Sequence, residues 1–305
     1  MGHGHGHTPA TAAGAHRSRL VVVLGLTLAV LVAEVVGAVL SGSLALLADA
    51  GHMATDAAGL ALALAAVGLA QRPARGRRTF GWQRVEILAA VANGLLLLLV
   101  AVYVLVEAIR RIGQPPEIGS GLMLVVAAIG LVVNLGSLVV LHRGRRESLN
   151  LRGAYLEVLA DALGSVAVIV AAVVILTTGW TPADIVASAV IGCLVVPRAW
   201  HLLREAFDVL LEAAPRGVDL ADVRAHMLEV DGVLGVHDLH AWTITSGLPV
   251  LSAHVVVTDD ALAAGHGGRV LDALCECLGE HFDMEHCTFQ LEAESHAGHE
   301  APVHD

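Results

Sequence analysis

Two pairs of ionisable residues lie inside long apolar stretches of this 305-residue chain. His52 and Asp56 belong to LALLADAGHMATDAAGL, residues 44–60; Glu157 and Asp161 belong to YLEVLADALGS, residues 155–165. Each pair is spaced i, i+4, so on a helix both side chains leave one face, one turn apart. An ionisable group at membrane depth costs about 2.5–3.5 kcal/mol on insertion scales. Four of them on two stretches point to a shared cation held by one imidazole and three carboxylates. Four N/O ligands suit a tetrahedral, zinc-like arrangement. A neutral His with three carboxylates exceeds the charge of a divalent ion by one. A proton can then compete for a ligand, which is a physical basis for metal/proton exchange. Two blander readings stand beside this one. The groups could form a proton relay without metal, or could simply bond neighbouring helices, as Glu34, Asp49, Asn93 and Asn134 are read.

The elements that must position these groups are membrane spans. The chain is 56% hydrophobic with a mean hydropathy of +0.71, too apolar for an ordinary soluble domain. Six apolar stretches have spanning length, roughly residues 20–40, 44–70, 85–109, 119–141, 153–177 and 183–203. Asp56 and Asp161 both fall well inside their spans. Loop 71–84 holds Arg72, Arg75, Arg77, Arg78 and Arg84, and loop 142–152 holds Arg143, Arg145, Arg146 and Arg152. The alternate loops carry no Arg, so the positive-inside rule places both termini in the cytoplasm. The first stretch contains Glu34 and lacks a cleavage site, so it reads as a retained span and not as a signal peptide.

Charge separates the chain into two parts. Residues 212–305 carry 17 Asp/Glu against 3 Arg, a net of −14, while residues 1–211 net +3. The acidic part excludes nucleic acid as a partner and suits cations. It also holds 10 of the 17 histidines. Its pattern predicts helix 219–230, strands 233–245 and 250–258, helix 267–282 and strand 286–293. That αββαβ order is a small two-layer α+β domain. The expected organisation is a flexible His/Gly-rich tail over 1–18, a six-helix transmembrane domain over 19–211, a cytoplasmic domain over 212–294, and a disordered His-containing tail over 295–305. Cys193, Cys275, Cys277 and Cys287 form no C-x₂-C pair and read as packing thiols. All 18 basic residues are Arg, for which there is no physical account.

Several motifs together resemble the cation diffusion facilitator family, in its bacterial zinc, cobalt and cadmium exporter branch, which is related to vesicular zinc transporters. They are EVVG at 34–37 followed by SLALLADAGHMATD at 43–56, FGWQRVEILAA at 80–90, DALGS at 161–165, LEAAP at 211–215, VHDLHAW at 236–242 and LSAH at 251–254. The resemblance spans about residues 18–294. It implies six spans, both termini inside, and a ferredoxin-like cytoplasmic domain that dimerises. It implies export of divalent metal, most readily zinc, with cadmium, cobalt, manganese or iron as further cargoes, driven by proton entry across a bacterial inner membrane. It implies no catalysis and no required cofactor; zinc or another divalent cation is the transported substrate and a regulatory ligand. The transport site carries over onto His52, Asp56, Asp161 and position 157. There this chain has Glu157 where the zinc-selective branch usually has His, a harder ligand less partial to zinc. His237, His240, His254, His286 and Glu292 fall where relatives place a cytoplasmic regulatory metal site, with His266 as a further candidate. The alternating His3, His5 and His7 read as a metal collector.

Two other function classes are weighed against the exporter. One is a metal-gated channel or membrane metal sensor without active transport. The other is an intramembrane metalloprotease, which the absence of an H-E-x-x-H motif argues against.

Overall fold

The computed structural model describes residues 10–113, 117–142, 149–262, 266–284 and 286–297. His3, His5 and His7, the loop arginines 143, 145 and 146, and the end of the chain from residue 298 lie outside them. Helices run α1 (Ala10–Ser41), α2 (Leu44–Ala70), α3 (Val85–Arg111), α4 (Ser120–His142), α5 (Leu149–Thr178) and α6 (Pro182–Leu210). Each contains a segment long and apolar enough to cross a membrane. Val39, Leu64, Leu99, Val132, Val139 and Leu194 are among the large apolar side chains they leave exposed, as lipid-facing positions require. The chain divides into two compact units, Met1–Leu62 with Ala92–Leu202, and Ala63–Val91 with Leu203–Asp305.

In the first unit α4 packs against both α1 and α5. Ala38, Ala45, Leu46, Val104, Met123, Ala127, Val168, Ala172 and Ile191 belong to one buried cluster that draws on all six spans. The start of α2 is fixed from a distance in sequence. The buried Asp184 of α6 accepts the amides of Leu44 (2.8 Å) and Ala45 (3.1 Å) and the Ser43 hydroxyl (2.6 Å). It thus satisfies orphan donors that no water could reach. Ser43 Oγ in turn accepts the amide of Leu46 at 3.1 Å. At the end of α3, Arg111 donates to the Gly42 carbonyl (2.8 Å) and to Glu107 (3.0 Å). Arg110 and Arg111 therefore stand at the end of α3 next to the loop around Gly42, which the loop sequences alone leave without Arg.

The second unit contains the acidic domain. After α6 the chain turns through Glu212 at φ 58, and the Ala213 amide bonds the Asp208 carbonyl at 2.9 Å, a left-handed helix stop. The domain then runs α7 (Leu220–Leu228), β1 (Val233–Thr243), β2 (Pro249–Val257), α8 (Asp259–Leu262), α9 (Gly267–Phe282), β3 (His286–Ala293) and α10 (Glu294–Ala297). This is the expected αββαβ order with two one-turn helices added. β1 and β2 are antiparallel; β3 joins β2 in parallel. Asp219 caps α7, accepting the Ala221 amide at 2.9 Å. Val270, Leu274 and Leu278 of α9 recur at i, i+4 and i+8, and are buried with Val223, Met227, Leu251, Ala253, Val255 and Val257. Alternation along β2 gives those residues to the core and leaves Ser252 and His254 on the opposite face.

Candidate metal centres

α2 and α5 bring the predicted intramembrane residues together. His52, Asp56 and Asp161 each present a ligand atom within 4.8 Å of the others. His52 Nε2 lies 3.5 Å from Asp56 Oδ2 and 3.9 Å from Asp161 Oδ1. The side chains of His52 and Asp161 are 9% and 7% exposed, that of Asp56 18%, so the cluster is largely buried. Neither His52 Nδ1 nor Asp161 Oδ1 has a hydrogen-bond partner. Buried polar atoms are seldom left so, and a cation bound between His52 Nε2 and the carboxylates would satisfy Asp161 Oδ1, though not His52 Nδ1 on the far side of the ring. The ligand types, one imidazole nitrogen and two carboxylates, suit a divalent metal of the zinc class.

The expected fourth ligand, Glu157, does not join that group. Its side chain is 54% exposed and its Oε1 accepts Arg198 Nη2 at 3.2 Å. The quartet read from sequence is thus a triad plus a carboxylate tied to a guanidinium. Arg198 lies on α6 and also donates from Nη1 to Asp56 Oδ2 at 3.2 Å, with His52 Nε2 at 3.4 Å. Sequence reasoning misses Arg198. The available signal is a charged residue in an apolar run, immediately after Pro197, which cannot donate to the carbonyl four residues before it.

Glu34, Asp49, Asn93 and Asn134 depart from the simple reading of polar groups bonded between helices. The structure gives no hydrogen bond to either Glu34 oxygen, to Asp49 Oδ2, to Asn93 Oδ1, or to either amide atom of Asn134. Glu34 and Asp49 are instead accommodated by glycines: a Cβ on Gly130 would meet Glu34 Oε1 at 3.0 Å, and one on Gly164 would meet Asp49 Oδ1 at 2.5 Å.

A second convergent group forms on the three-stranded sheet. His237 of β1 pairs with His254 of β2, and Gln290 of β3 pairs with His254 from the other side. Glu292, two residues past Gln290, points to the same face. Its buried carboxylate reaches His254 Nδ1 at 2.8 Å through Oε1 and His237 Nε2 at 3.2 Å through Oε2. The Gln290 amide donates to Glu292 Oε1 at 2.7 Å, a contact that strand alternation would have indicated. His237, His254 and Glu292 present ligand atoms within 4.8 Å of one another.

Two histidines expected there stand elsewhere. His286 begins β3 opposite Val250, four residues from Gln290, or about 13 Å at the rise of a strand. Its ring meets Phe80 edge-on at 6.0 Å. His240 pairs with Ser252, beyond a bulge between His237 and His240 in which Asp238 adopts φ 46; it is outside the 4.8 Å group. His266, at the start of α9, bonds the Asp260 carbonyl at 3.1 Å.

Outside the spans, two thiols have clear electrostatic character. Burial, with a smaller contribution from Cys275, pushes the Cys287 thiol up to about 11. Burial, then Glu229 and Glu280, raises that of Cys277. Both stay protonated at neutral pH, and neither is primed as a soft metal ligand.

Comparison with known proteins covers both parts of the chain. Residues 20–211 match the family model described as the cation efflux transmembrane domain, and residues 215–294 match the cation efflux protein cytoplasmic domain. The chain is 48% identical over 279 residues to the cation efflux system protein CzcD of Alcaligenes sp. strain CT14, covering 92% of this chain and 87% of that protein. It is 40% identical to the cadmium, cobalt and zinc/H(+)-K(+) antiporter of Bacillus subtilis, covering 93% and 91%. It is 42% identical to the zinc transporter ZitB of Escherichia coli, covering 90% and 87%. A solved structure described as the metal-bound C-terminal domain of a CzcD transporter is 41% identical, covers 25% of this chain and 99% of its own, and superposes with a TM-score of 0.23.

Proposed function

Because the chain belongs to the cation efflux family, a group of metal cation exporters, we propose that it moves divalent transition metals out of the cytoplasm in exchange for protons, with zinc as the leading cargo. The observation that carries the reading is the buried His52, Asp56 and Asp161 group, whose ligand atoms lie within 4.8 Å of one another. It sits on two spans, where charged groups are costly.

Metal and protons compete there for the same atoms. A divalent ion bonds only deprotonated ligands, so binding releases protons and protonation releases the ion. A site that opens alternately to either side therefore couples the two flows. Alternating exposure at mid-membrane is the general logic of secondary transporters.

Both termini lie in the cytoplasm, a reading the Arg-rich loops support, and the bacterial relatives support a bacterial inner membrane as the location. The acidic domain dimerises, and its His237–His254–Glu292 group takes a regulatory metal ion. A net of −14 on residues 212–305 opposes association until cations screen it, which makes pairing of the tails metal-sensitive. Relatives named for zinc, cadmium and cobalt support this cargo range.

Growth of an exporter-deficient bacterium on graded zinc, cadmium, cobalt, manganese and iron tests the reading. Expression should restore growth on zinc and on at least one of cadmium and cobalt. Restoration by none of the five would refute export.

A further inference from the structure

Arg198 is bonded to two of the four residues that the sequence singles out, and metal/proton exchange at the triad gives it no part. One guanidinium spans them: Nη1 lies 3.2 Å from Asp56 Oδ2 and Nη2 lies 3.2 Å from Glu157 Oε1. Nη1 is also 3.4 Å from His52 Nε2. The N–H hydrogens therefore engage atoms that a metal would need, since Asp56 and His52 belong to the convergent triad. We propose that Arg198 is a tethered countercharge of the transport site, neutralising Glu157 and competing with the metal for Asp56, so that it sets how tightly the ion is held. The proposal rests on the triad being the transport site.

Charge balance shows what the arginine accomplishes. With His52 neutral, Asp56, Glu157 and Asp161 carry three negative charges. A divalent ion among them leaves one negative charge uncompensated in a setting of low dielectric, where such an excess is costly. Arg198 supplies the missing positive charge. Its guanidinium does not lose its proton in proteins, so it acts as a fixed charge and carries no proton itself. The arginine side chain is 39% exposed, which leaves it free to swing aside when a metal enters and to return as the metal leaves. A permanent internal competitor lowers affinity and speeds release, which an exporter needs more than tight binding.

The rival explanation is structural: Arg198 simply fastens α6 to α2 and α5. The two explanations differ in sign. As a countercharge, Arg198→Gln tightens metal binding and Glu157→Gln weakens it, and the double variant, with the native net charge, returns close to the start. As a fastener, either single change weakens binding and the double variant is no better than the worse of the two.

The test uses full-length protein in sealed proteoliposomes at pH 8 under a fixed proton gradient, with initial zinc uptake measured against zinc concentration. Arg198→Gln should lower the half-saturating concentration about tenfold, with a lower maximal rate because release slows. That factor is a lower bound, the repulsion between a divalent ion and a unit charge at roughly 6 Å with the full dielectric screening of water. Glu157→Gln should raise it about tenfold. Glu157→Gln/Arg198→Gln and the charge-preserving Arg198→Lys should both fall within about threefold of native. An unchanged or raised half-saturation in Arg198→Gln overturns the proposal. Asp161→Ala separates the two levels: silence there, with Arg198→Gln at native affinity, sinks the countercharge alone. Native transport in Asp161→Ala would sink the transport-site reading and the proposal with it.

Discussion

A Cβ built on Gly164 of α5 would stand 2.5 Å from Asp49 Oδ1 of α2, so the Asp49 carboxylate fills the space that any side chain at 164 needs. The Asp49 side chain therefore lies against α5, one turn from the triad. Three residues away along each chain, in opposite directions, His52 Nε2 meets Asp161 Oδ1 at 3.9 Å. Gly164 thus leaves room for the Asp49 carboxylate against α5, one turn from where α2 and α5 bring their ligand atoms together.

Gly164→Ala should therefore damage the site without touching a ligand. Relief of the clash needs the helices to part or Asp49 to move, at a cost of about 1–3 kcal/mol for overpacking. Zinc transport should fall, and the zinc affinity of the triad should drop with it. Gly136→Ala on α4, where a Cβ meets nothing within 4 Å, is the matched control and should transport normally. Equal behaviour of the two variants would show that the 49–164 approach does not set the site.

The two metal groups should be separable by stoichiometry. Purified protein in detergent, equilibrated with saturating zinc and analysed for bound metal, should hold two ions per chain. Glu292→Ala removes the carboxylate that reaches both His237 and His254. Loss of a ligand should cost more than the roughly 10–100-fold that follows loss of a supporting hydrogen bond, leaving one ion. Asp161→Ala should likewise leave one, and the pair of substitutions none. Retention of two ions by Glu292→Ala would remove the sheet from the metal account.

The thiols predict a pH effect in the acidic domain. Cys287 titrates at about 11 in the folded chain, above the ordinary thiol value of about 8.5. Folding thus favours its protonated form, and that contribution is complete below about pH 8.5 and lost as pH rises through about 11. Thermal unfolding of the domain should shift to lower temperature across about pH 9–11, and less so in Cys287→Ala. At pH 8, iodoacetamide should modify Cys287 in the folded protein more slowly than the exposed Cys275. Equal labelling rates would contradict the burial of Cys287.

Much of this architecture is legible in the sequence. The spans follow from long apolar runs, and the αββαβ domain from its change of period between helix and strand. Asp56 and Asp161 announce themselves because charge inside a span is conspicuous. Glu157 is conspicuous for the same reason, and that is what misleads. The i, i+4 rule puts it on the Asp161 face, but spacing along one helix says nothing of a partner on another, and Arg198 comes from α6. His286 resembles the other sheet histidines because it opens the right strand. Register, at about 3.3 Å per residue, puts it too far from His254. The bulge at Asp238 hides the fate of His240, since a bulge shifts facing without any change in the hydrophobic pattern. Asp184 gives no warning of its role, because a cap supplied from another helix has no local signature.

The central claim is that His52, Asp56 and Asp161 carry metal across the membrane at the expense of protons. Zinc and proton fluxes recorded together in proteoliposomes test it most directly, with a pH gradient as the only driving force. The native protein should move zinc against its concentration gradient while protons move the opposite way. Asp161→Asn, which keeps the side-chain shape and removes the charge, should show neither flux above empty vesicles. Zinc accumulation by Asp161→Asn at close to the native rate would contradict the account.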